Sequence, residues 1–212
     1  MKYILTMPYF PEHNILFIHI PKTGGTSIEH VLGKNSKKEL YCAAYSNNVI
    51  PDKEFQKISL QHQFYSTIKR FQSACKVPFD DKLKIITVVR NPYERIISDL
   101  LWLKLVNKNS TPDEVYKAIK KFVGAHGSVY DNHNIPQHKF LLNDKGKIPD
   151  KIKIFHTETL NEEFEKELNI KLDERVLSSG ISSYDKYYNK LSIDLVNRVY
   201  HNDFEIFKYK KK

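Results

Sequence analysis

Residues 15–33 read "ILFIHIPKTGGTSIEHVLG" and pass from an apolar run through a glycine-containing turn into a helical pattern. The apolar run is typical of a short buried strand, and the last residues have the spacing of an amphipathic helix. Between them lie Lys22 and the adjacent Gly24 and Gly25, in a chain that contains only 7 glycines. Such a turn forms an anion site, because free backbone N–H groups converge at a helix N-terminus and the helix dipole favours negative charge.

The residue types in this turn favour a phosphate-like ligand. Gly24 and Gly25 allow the backbone to approach an oxyanion without a side-chain clash. Thr26 and Ser27 add hydroxyl donors, and Lys22 adds a cation. The turn is not the nucleoside-triphosphate loop GxxxxGK(S/T), because here the lysine precedes the glycines. A capped helix start with a tight turn and no ligand is the alternative.

Beyond this stretch, strand patterns alternate with helix patterns. The predicted strands are Ile15–Ile20, Lys82–Arg90 and Ile152–His156, and the predicted helices are Thr26–Leu32, a segment that begins at Pro92, Asn161–Leu168 and Ser192–Phe207. This alternation predicts an α/β fold with a mainly parallel central sheet flanked by helices, as a single domain over residues 1–212. In such sheets ligands bind beyond the carboxyl ends of the strands. The turns after Ile20 and Val89 should therefore meet at one ligand-binding edge.

Composition narrows the class of protein. The chain has 212 residues and a hydrophobic fraction of 41%, and both values are typical of a globular domain with a buried core. Its net charge is +9. Positive charge attracts nucleic acid, anionic membranes or acidic small molecules. The sequence has no zinc-finger spacing, no basic region with heptads and no apolar run of the roughly 18 residues that span a membrane. Neither nucleic acid nor a membrane is therefore an expected partner, and "KYKKK" at 208–212 is interpreted as a frayed, solubilising tail.

Two segments resemble the signature motifs of sulfotransferases that use 3′-phosphoadenosine 5′-phosphosulfate (PAPS), in the branch that includes carbohydrate sulfotransferases. The segment "FIHIPKTGGTS" is similar to the loop that binds the 5′-phosphosulfate in that family. The segment "ITVVRNPYERIISDL" resembles its 3′-phosphate motif, in which an arginine at a strand end precedes a helical serine; here these are Arg90 and Ser98. Residues 136–168 and 184–209 also resemble later stretches of the family, so that the likeness covers nearly the whole chain. It implies a P-loop-like fold.

The resemblance also implies roles for the residues of the two motifs. Lys22 would stabilise the leaving group, and Arg90 with Ser98 would hold the 3′-phosphate. The full donor-binding set is Lys22, Thr23, Gly24, Gly25, Thr26, Ser27, Arg90 and Ser98. No metal is expected, because a sulfuryl group carries little charge compared with a phosphoryl group. His126, His133 and His138 match no common zinc spacing.

A histidine is the expected general base, since its ordinary pKa lies near neutrality. His62, in "SLQHQFYSTIKR", resembles a family histidine before the Arg-Asn-Pro strand and is the preferred candidate. His133, in "DNHNIPQ", is the rival, and a locally bonded structural histidine is the non-catalytic alternative. The resemblance places His133 and Gln137 in the acceptor pocket.

The predicted function is transfer of a sulfuryl group from PAPS to an acceptor hydroxyl, on a saccharide, with a histidine base and lysine stabilisation of the leaving group. Two alternatives stay open: a nucleotide-binding phosphotransferase with an atypical phosphate loop, and a non-catalytic basic module that binds acidic glycans or nucleic acid.

The two cysteines, Cys42 and Cys75, do not form a disulfide framework. Because the membrane anchor of Golgi relatives is also missing, we expect a cytoplasmic protein of bacterial or viral origin.

Overall fold

The computed structural model describes residues 9–33, 52–53, 56–172 and 183–212, so that Cys42 lies outside the described residues. The strands are β1 (Tyr9–Phe10), β2 (Ile15–Ile18), β3 (Lys84–Val89) and β4 (Ile152–His156). The α-helices are α1 (Gly25–Gly33), α2 (Tyr65–Arg70), α3 (Gln72–Cys75), α4 (Pro92–Trp102), α5 (Pro112–Val123), α6 (Leu160–Leu168), α7 (Lys190–Val199) and α8 (His201–Phe207). Short 3₁₀ turns join several of them.

The sheet of the described residues confirms the α/β prediction. Its strand order is β1-β2-β3-β4; β1 pairs antiparallel with β2, and the other two pairings are parallel. Both faces are covered, as is usual for parallel strands. Leu16 and Ile18 of β2 pack in a cluster with α2 and α3, whereas Ile15 and Phe17 pack in a cluster with α1 and α6. The strand residues are therefore buried on both sides, because side chains alternate between the two faces.

The predicted ends of several elements need correction. β2 ends at Ile18 and β3 at Val89, where the chain leaves the sheet to form loops. The helix that begins at Pro92 ends at Trp102, although apolar residues continue beyond it. There Lys104 has a left-handed backbone, with φ 57°, and its N–H donates to Leu101 O over 3.1 Å. The N–H of Leu105 donates to Leu100 O over 2.9 Å, which completes a Schellman motif and ends the helix.

The predicted last helix is two helices. Tyr200 interrupts the run with φ −102° and ψ 21°, and α7 and α8 pack with α4 and α5 in a third apolar cluster. The break turns the chain so that Asp203 of α8 lies fully buried against the segment around Gln137. The Asp203 carboxylate accepts a hydrogen bond from the backbone N–H of Gln137 over 2.7 Å. Among the helices of the described residues, none has the length and hydropathy needed to cross a membrane.

Candidate active site

The loops that follow β2 and β3 lie side by side at the carboxyl edge of the sheet. Nη1 of Arg90 donates to the carbonyl of Lys22 over 3.4 Å. Thr157 joins the two loops, because its Oγ1 donates to Thr23 O over 2.6 Å and lies 3.1 Å from Val89 O. A cleft of about 2470 Å³ lies over this edge. Since a small-molecule pocket typically occupies about 300–1,000 Å³, the cleft has room for two substrates.

Most of the predicted site residues line this cleft: Lys22, Gly24, Gly25, Thr26, Ser27, His62, Arg90, Ser98 and His133. Thr23 does not, because its side chain is fully buried and its hydroxyl donates to Ile20 O over 2.8 Å. The hydroxyl of Thr23 thus supports the turn, and donor binding by its backbone N–H stays a prediction.

The backbone of the turn after β2 is unusual at two residues. Lys22 has φ 62° and Gly24 has φ 96°. The left-handed region costs a non-glycine residue roughly 1–2 kcal/mol, and such outliers cluster at functional sites. The turn leads directly into α1, whose first residues, Gly25 and Thr26, lie at the floor of the cleft. The strain thus falls where the backbone must present its N–H groups.

Gly25 is required by a close approach to His19. A Cβ at this position would lie 2.3 Å from His19 Nε2, and His19 is itself buried and hydrogen-bonded to Glu29.

We expect Gly25→Ala to lower the free energy of unfolding by about 1–3 kcal/mol, because the imidazole must move out of a packed site. Urea unfolding measures the effect. Gly146→Ala is the control: its position has φ 69° and open space around a new Cβ, so it tests backbone strain alone. An unchanged stability of Gly25→Ala would contradict the close approach.

Arg90 is fixed to the wall of the cleft by its own neighbours. Its Nε and Nη2 donate to Glu94 Oε2 over 3.3 and 3.0 Å, and Nη2 also donates to the hydroxyl of Tyr184 over 3.1 Å. The guanidinium lies over the Tyr184 ring, 5.4 Å from its centroid. The guanidinium is therefore held in one position at the wall of the cleft.

Gln137 supports Arg90 and does not contact the cleft. Its Oε1 accepts from Arg90 N–H over 2.9 Å, and its Nε2 donates to Arg90 O over 2.8 Å. The side chain is fully buried. The amide of Gln137 thus clamps the backbone at the end of β3, and its role in an acceptor pocket stays a prediction.

Helix α4 presents one row of side chains to the cleft. Asn91 caps it by accepting from Tyr93 N–H over 3.0 Å, and Pro92 occupies the first turn. Glu94, Ser98 and Trp102 then recur every four residues, so they share a helix face, and all three line the cleft. The helix therefore places Ser98 on the same wall as Arg90, as the motif predicts.

Three buried histidines form a row along the cleft, each paired with a carboxylate. Nδ1 of each ring lies 2.7 Å from a carboxylate oxygen, in the pairs His19–Glu29, His62–Asp131 and His133–Asp99. The ring centroids of His19 and His62 are 5.3 Å apart, and those of His62 and His133 are 5.0 Å apart. A carboxylate only accepts, so Nδ1 carries the proton in each neutral ring and Nε2 keeps a lone pair.

His62 stays neutral across the physiological range. Burial lowers its pKa to about 4; the hydrogen bond to Asp131 opposes the shift, and the neighbouring His19 and His133 add to it. Burial alone would raise the pKa of Asp131, but the hydrogen bonds from His62 and Ser59 outweigh burial and hold that pKa below its ordinary value. The pair is thus a neutral imidazole beside an ionised carboxylate, which is the arrangement of an oriented general base.

His62, Asp131 and His133 also offer ligand atoms that lie within 4.8 Å of one another, close enough for a metal ion. Asp131 is already engaged, however. Its oxygens accept from Ser59 N over 2.6 Å, from Ser59 Oγ over 2.7 Å and from His62 Nδ1 over 2.7 Å. These bonds fix the orientation of Asp131 and His62, and Oδ1 of Asp131, which among the described residues accepts only from Ser59 N, keeps a lone pair beyond them.

Trp102 connects His133 to Lys22. Its indole stacks on the His133 ring at an interplanar angle of 8°, with 5.1 Å between centroids. Nζ of Lys22 lies 5.3 Å from the Trp102 ring centroid. Burial lowers the pKa of Lys22, the positive Arg90 lowers it further, and Asp99 opposes both. Because 60% of Trp102 is exposed in the cleft, the indole leaves a large apolar surface beside both residues.

Arg95 holds the loops together beneath the site. It is 1% exposed, and it donates from Nε to Pro21 O over 3.0 Å and from Nη2 to His133 O over 2.8 Å. Sequence reasoning missed it, and it also missed Glu29, Asp99, Trp102, Asp131 and Tyr184. Trp102 had a signal, because it follows Ser98 by one helical turn. Asp131 had none, since it lies 69 residues from His62.

Comparisons with known proteins agree with this geometry. The model of the Sulfotransferase family matches residues 6–210, which is nearly the whole chain. The chain matches no curated protein and no solved structure. The family match spans both strand exits, the histidine row and the helices that support them. The chain belongs to the Sulfotransferase family.

Proposed function

We propose that this protein transfers a sulfuryl group from PAPS to a hydroxyl of a carbohydrate acceptor. Membership of the family implies sulfuryl transfer. The observation that supports the assignment best is the contact between Arg90 and the carbonyl of Lys22, because it joins the two strand exits in one cleft. A donor with an anionic group at each end would bind between them. The close backbone approach at Gly25 suits the phosphosulfate end.

Each of the predicted site residues would perform one part of the sulfuryl transfer. When bound, PAPS supplies the activated sulfuryl group. His62 accepts the proton of the acceptor hydroxyl at Nε2, while Asp131 holds the imidazole in the required tautomer. Lys22 and the N–H groups at the start of α1 neutralise the charge that develops on the leaving phosphate, a preorganised role worth roughly 10²–10³ in rate per donor. Arg90 and Ser98 orient the donor at its 3′-phosphate.

A carbohydrate acceptor is supported by Trp102. Its exposed indole lies beside His133 and Lys22, where an acceptor must place its hydroxyl. An aromatic face packs well against the C–H face of a sugar ring, and the cleft has the volume for a second ligand. His133, with its Nδ1 bonded to Asp99, would then contact the acceptor.

Calorimetry with adenosine 3′,5′-bisphosphate (PAP), the product of PAPS, tests the donor assignment. We expect PAP to bind without magnesium and ATP with magnesium to bind weakly; the reverse order would favour a phosphotransferase. Transfer from labelled PAPS to a panel of glycans, lipids and phenols then identifies the acceptor class. PAP binding with no transfer to any acceptor would favour a non-catalytic module.

The single tryptophan provides a spectroscopic test of Lys22. Trp102 is the only tryptophan of the chain, and Lys22 Nζ lies over its ring. We expect PAP to change the emission of wild type in a saturable way, because the 5′-phosphate draws the ammonium away from the indole. Lys22→Ala should lose most of this change while calorimetry still detects PAP. A Lys22→Ala response equal to that of wild type would contradict the proposed movement.

A further inference from the structure

Residues 208–212 do not form a frayed tail: the lysines of "KYKKK" are exposed, but the segment is hydrogen-bonded to the rest of the domain. The N–H of Tyr209 donates to Phe204 O over 3.1 Å, and its hydroxyl donates to Glu158 Oε2 over 2.9 Å. Its ring also contacts that of His156, with 5.7 Å between centroids. Tyr209 therefore anchors the segment to the edge of the sheet beside the cleft.

The anchored segment carries Lys212 into the cleft wall. Its backbone N–H donates to the hydroxyl of Tyr93 over 2.9 Å, and its carbonyl accepts from Asn197 Nδ2 over 3.1 Å. Its Nζ lies 5.4 Å from the centroid of Tyr93 and 5.8 Å from that of Tyr188. Lys212 thus lines the same cleft as Arg90 and Ser98, with its main chain fixed.

Lys212 also forms an ion pair next to the contacts of Arg90. Its Nζ bonds Asp185, and the preceding residue, Tyr184, accepts from Arg90 Nη2. Both cation–carboxylate pairs, Arg90–Glu94 and Lys212–Asp185, therefore line the cleft, and the adjacent residues Tyr184 and Asp185 connect them. The Lys212 and Asp185 side chains are 43% and 72% exposed. Ion pairs as exposed as this one contribute little to stability, so a phosphate dianion competes with Asp185 at little cost.

Arg90 has few donors left for a ligand. It makes four hydrogen bonds within the protein, to Glu94 twice, to Lys22 and to Tyr184. A guanidinium has five N–H groups, so it cannot saturate the three oxygens of a phosphate without exchanging partners. A second cation on the same wall would supply both charge and donors.

We propose that Lys212 is a second cationic ligand of the donor's 3′-phosphate, and that Asp185 is its counter-ion when the donor is absent. This inference rests on the proposed function and extends it. It assigns the discrimination between nucleotides with and without a 3′-phosphate to two side chains, Arg90 and Lys212, that lie far apart in the sequence.

Calorimetry on the full chain with PAP and with 5′-AMP tests the proposal. We expect Lys212→Ala to weaken PAP binding about tenfold and 5′-AMP binding less than twofold, because only PAP carries the 3′-phosphate. Lys212→Arg should retain most of the affinity for PAP. Lys211→Ala is the matched control, because Lys211 pairs with Glu205 outside the cleft; it should change neither affinity more than twofold. Thermal unfolding confirms that each variant is folded.

The outcomes separate this inference from the proposed function. If wild type binds PAP and 5′-AMP equally, the 3′-phosphate site itself is wrong. If wild type prefers PAP and Lys212→Ala keeps the full preference, the assignment of Lys212 is overturned. Equal weakening of both nucleotides by Lys212→Ala would also overturn it, since that pattern indicates a general loss of positive charge.

Discussion

The His62→Ala variant is expected to bind PAP with the affinity of wild type and to transfer sulfate about 10²–10⁴-fold more slowly, the range typical of a lost general base. The physical reason is the geometry of the pair with Asp131. That carboxylate fixes the proton on Nδ1 and leaves the Nε2 lone pair for the acceptor hydroxyl. Steady-state transfer from labelled PAPS, together with calorimetry, separates the two effects.

Two further variants show which histidine acts as the base. Asp131→Asn should slow transfer as well, because it removes both the tautomer control and the hydrogen bond that raises the His62 pKa. His133→Ala should chiefly raise KM for the acceptor, since His133 would contact that substrate. If His62→Ala transfers sulfate normally while His133→Ala loses turnover, the base is His133.

The pH profile of the reaction should report the protonation of His62 in its pair with Asp131. Because burial lowers the His62 pKa from its ordinary value near 6.5 to about 4, the ring stays neutral as the pH falls through 6. Activity, measured as kcat/KM, should therefore persist below pH 6.5 and fall only as the pH approaches the lowered pKa. An acid limb centred at or above 6.5 would contradict a buried, neutral base.

The Arg90→Ala variant is expected to lose about 10²-fold in affinity for PAP and most of its preference for PAP over 5′-AMP. Removing one member of a buried, hydrogen-bonded charge pair typically costs about 2–5 kcal/mol of binding free energy. We expect the low end of that range, because the Glu94 carboxylate left in the cleft is 40% exposed and water screens it. Calorimetry with the two nucleotides measures both quantities.

Arg90→Lys and Arg70→Ala complete this experiment. Lysine keeps the charge but not the planar fork, so Arg90→Lys should bind PAP with intermediate affinity. Arg70 is an exposed arginine that pairs with Asp144 away from the cleft, and its replacement should leave PAP binding unchanged. If Arg90→Ala keeps the wild-type preference for PAP, Arg90 does not bind the 3′-phosphate.

The turn between β2 and α1 could be predicted from local patterns. The strand before Lys22 and the helix after Gly24 both follow from periodicity, and the glycines explain the turn between them. Ser98 was placed on the wall with Arg90 because helix periodicity relates residues close in sequence. The side-chain role of Thr23 was not predictable, because it depends on which way one hydroxyl turns, and here it bonds Ile20.

The rest of the site depends on residues far apart in the chain. His62 meets Asp131 across 69 residues, Gln137 clamps Arg90 across 47, and Arg95 reaches Pro21 across 74. No spacing rule links such positions, because the parallel sheet and the packing of α4 bring them together. Lys212 is the clearest case: composition suggests a solvated lysine, whereas the anchoring of Tyr209 makes it part of the cleft wall.

Short-range patterns in the chain thus sufficed for the α/β class, the turn between β2 and α1 and the placement of Arg90 and Ser98 in one cleft, because backbone conformation and helical periodicity act between neighbouring residues. Three further features depend on the tertiary structure: the carboxylate that orients each histidine, the residues that support the loops and the cations that share the cleft. The reason is that hydrogen bonds and burial depend on distance in space, and distance in space is set by the packing of sheet and helices.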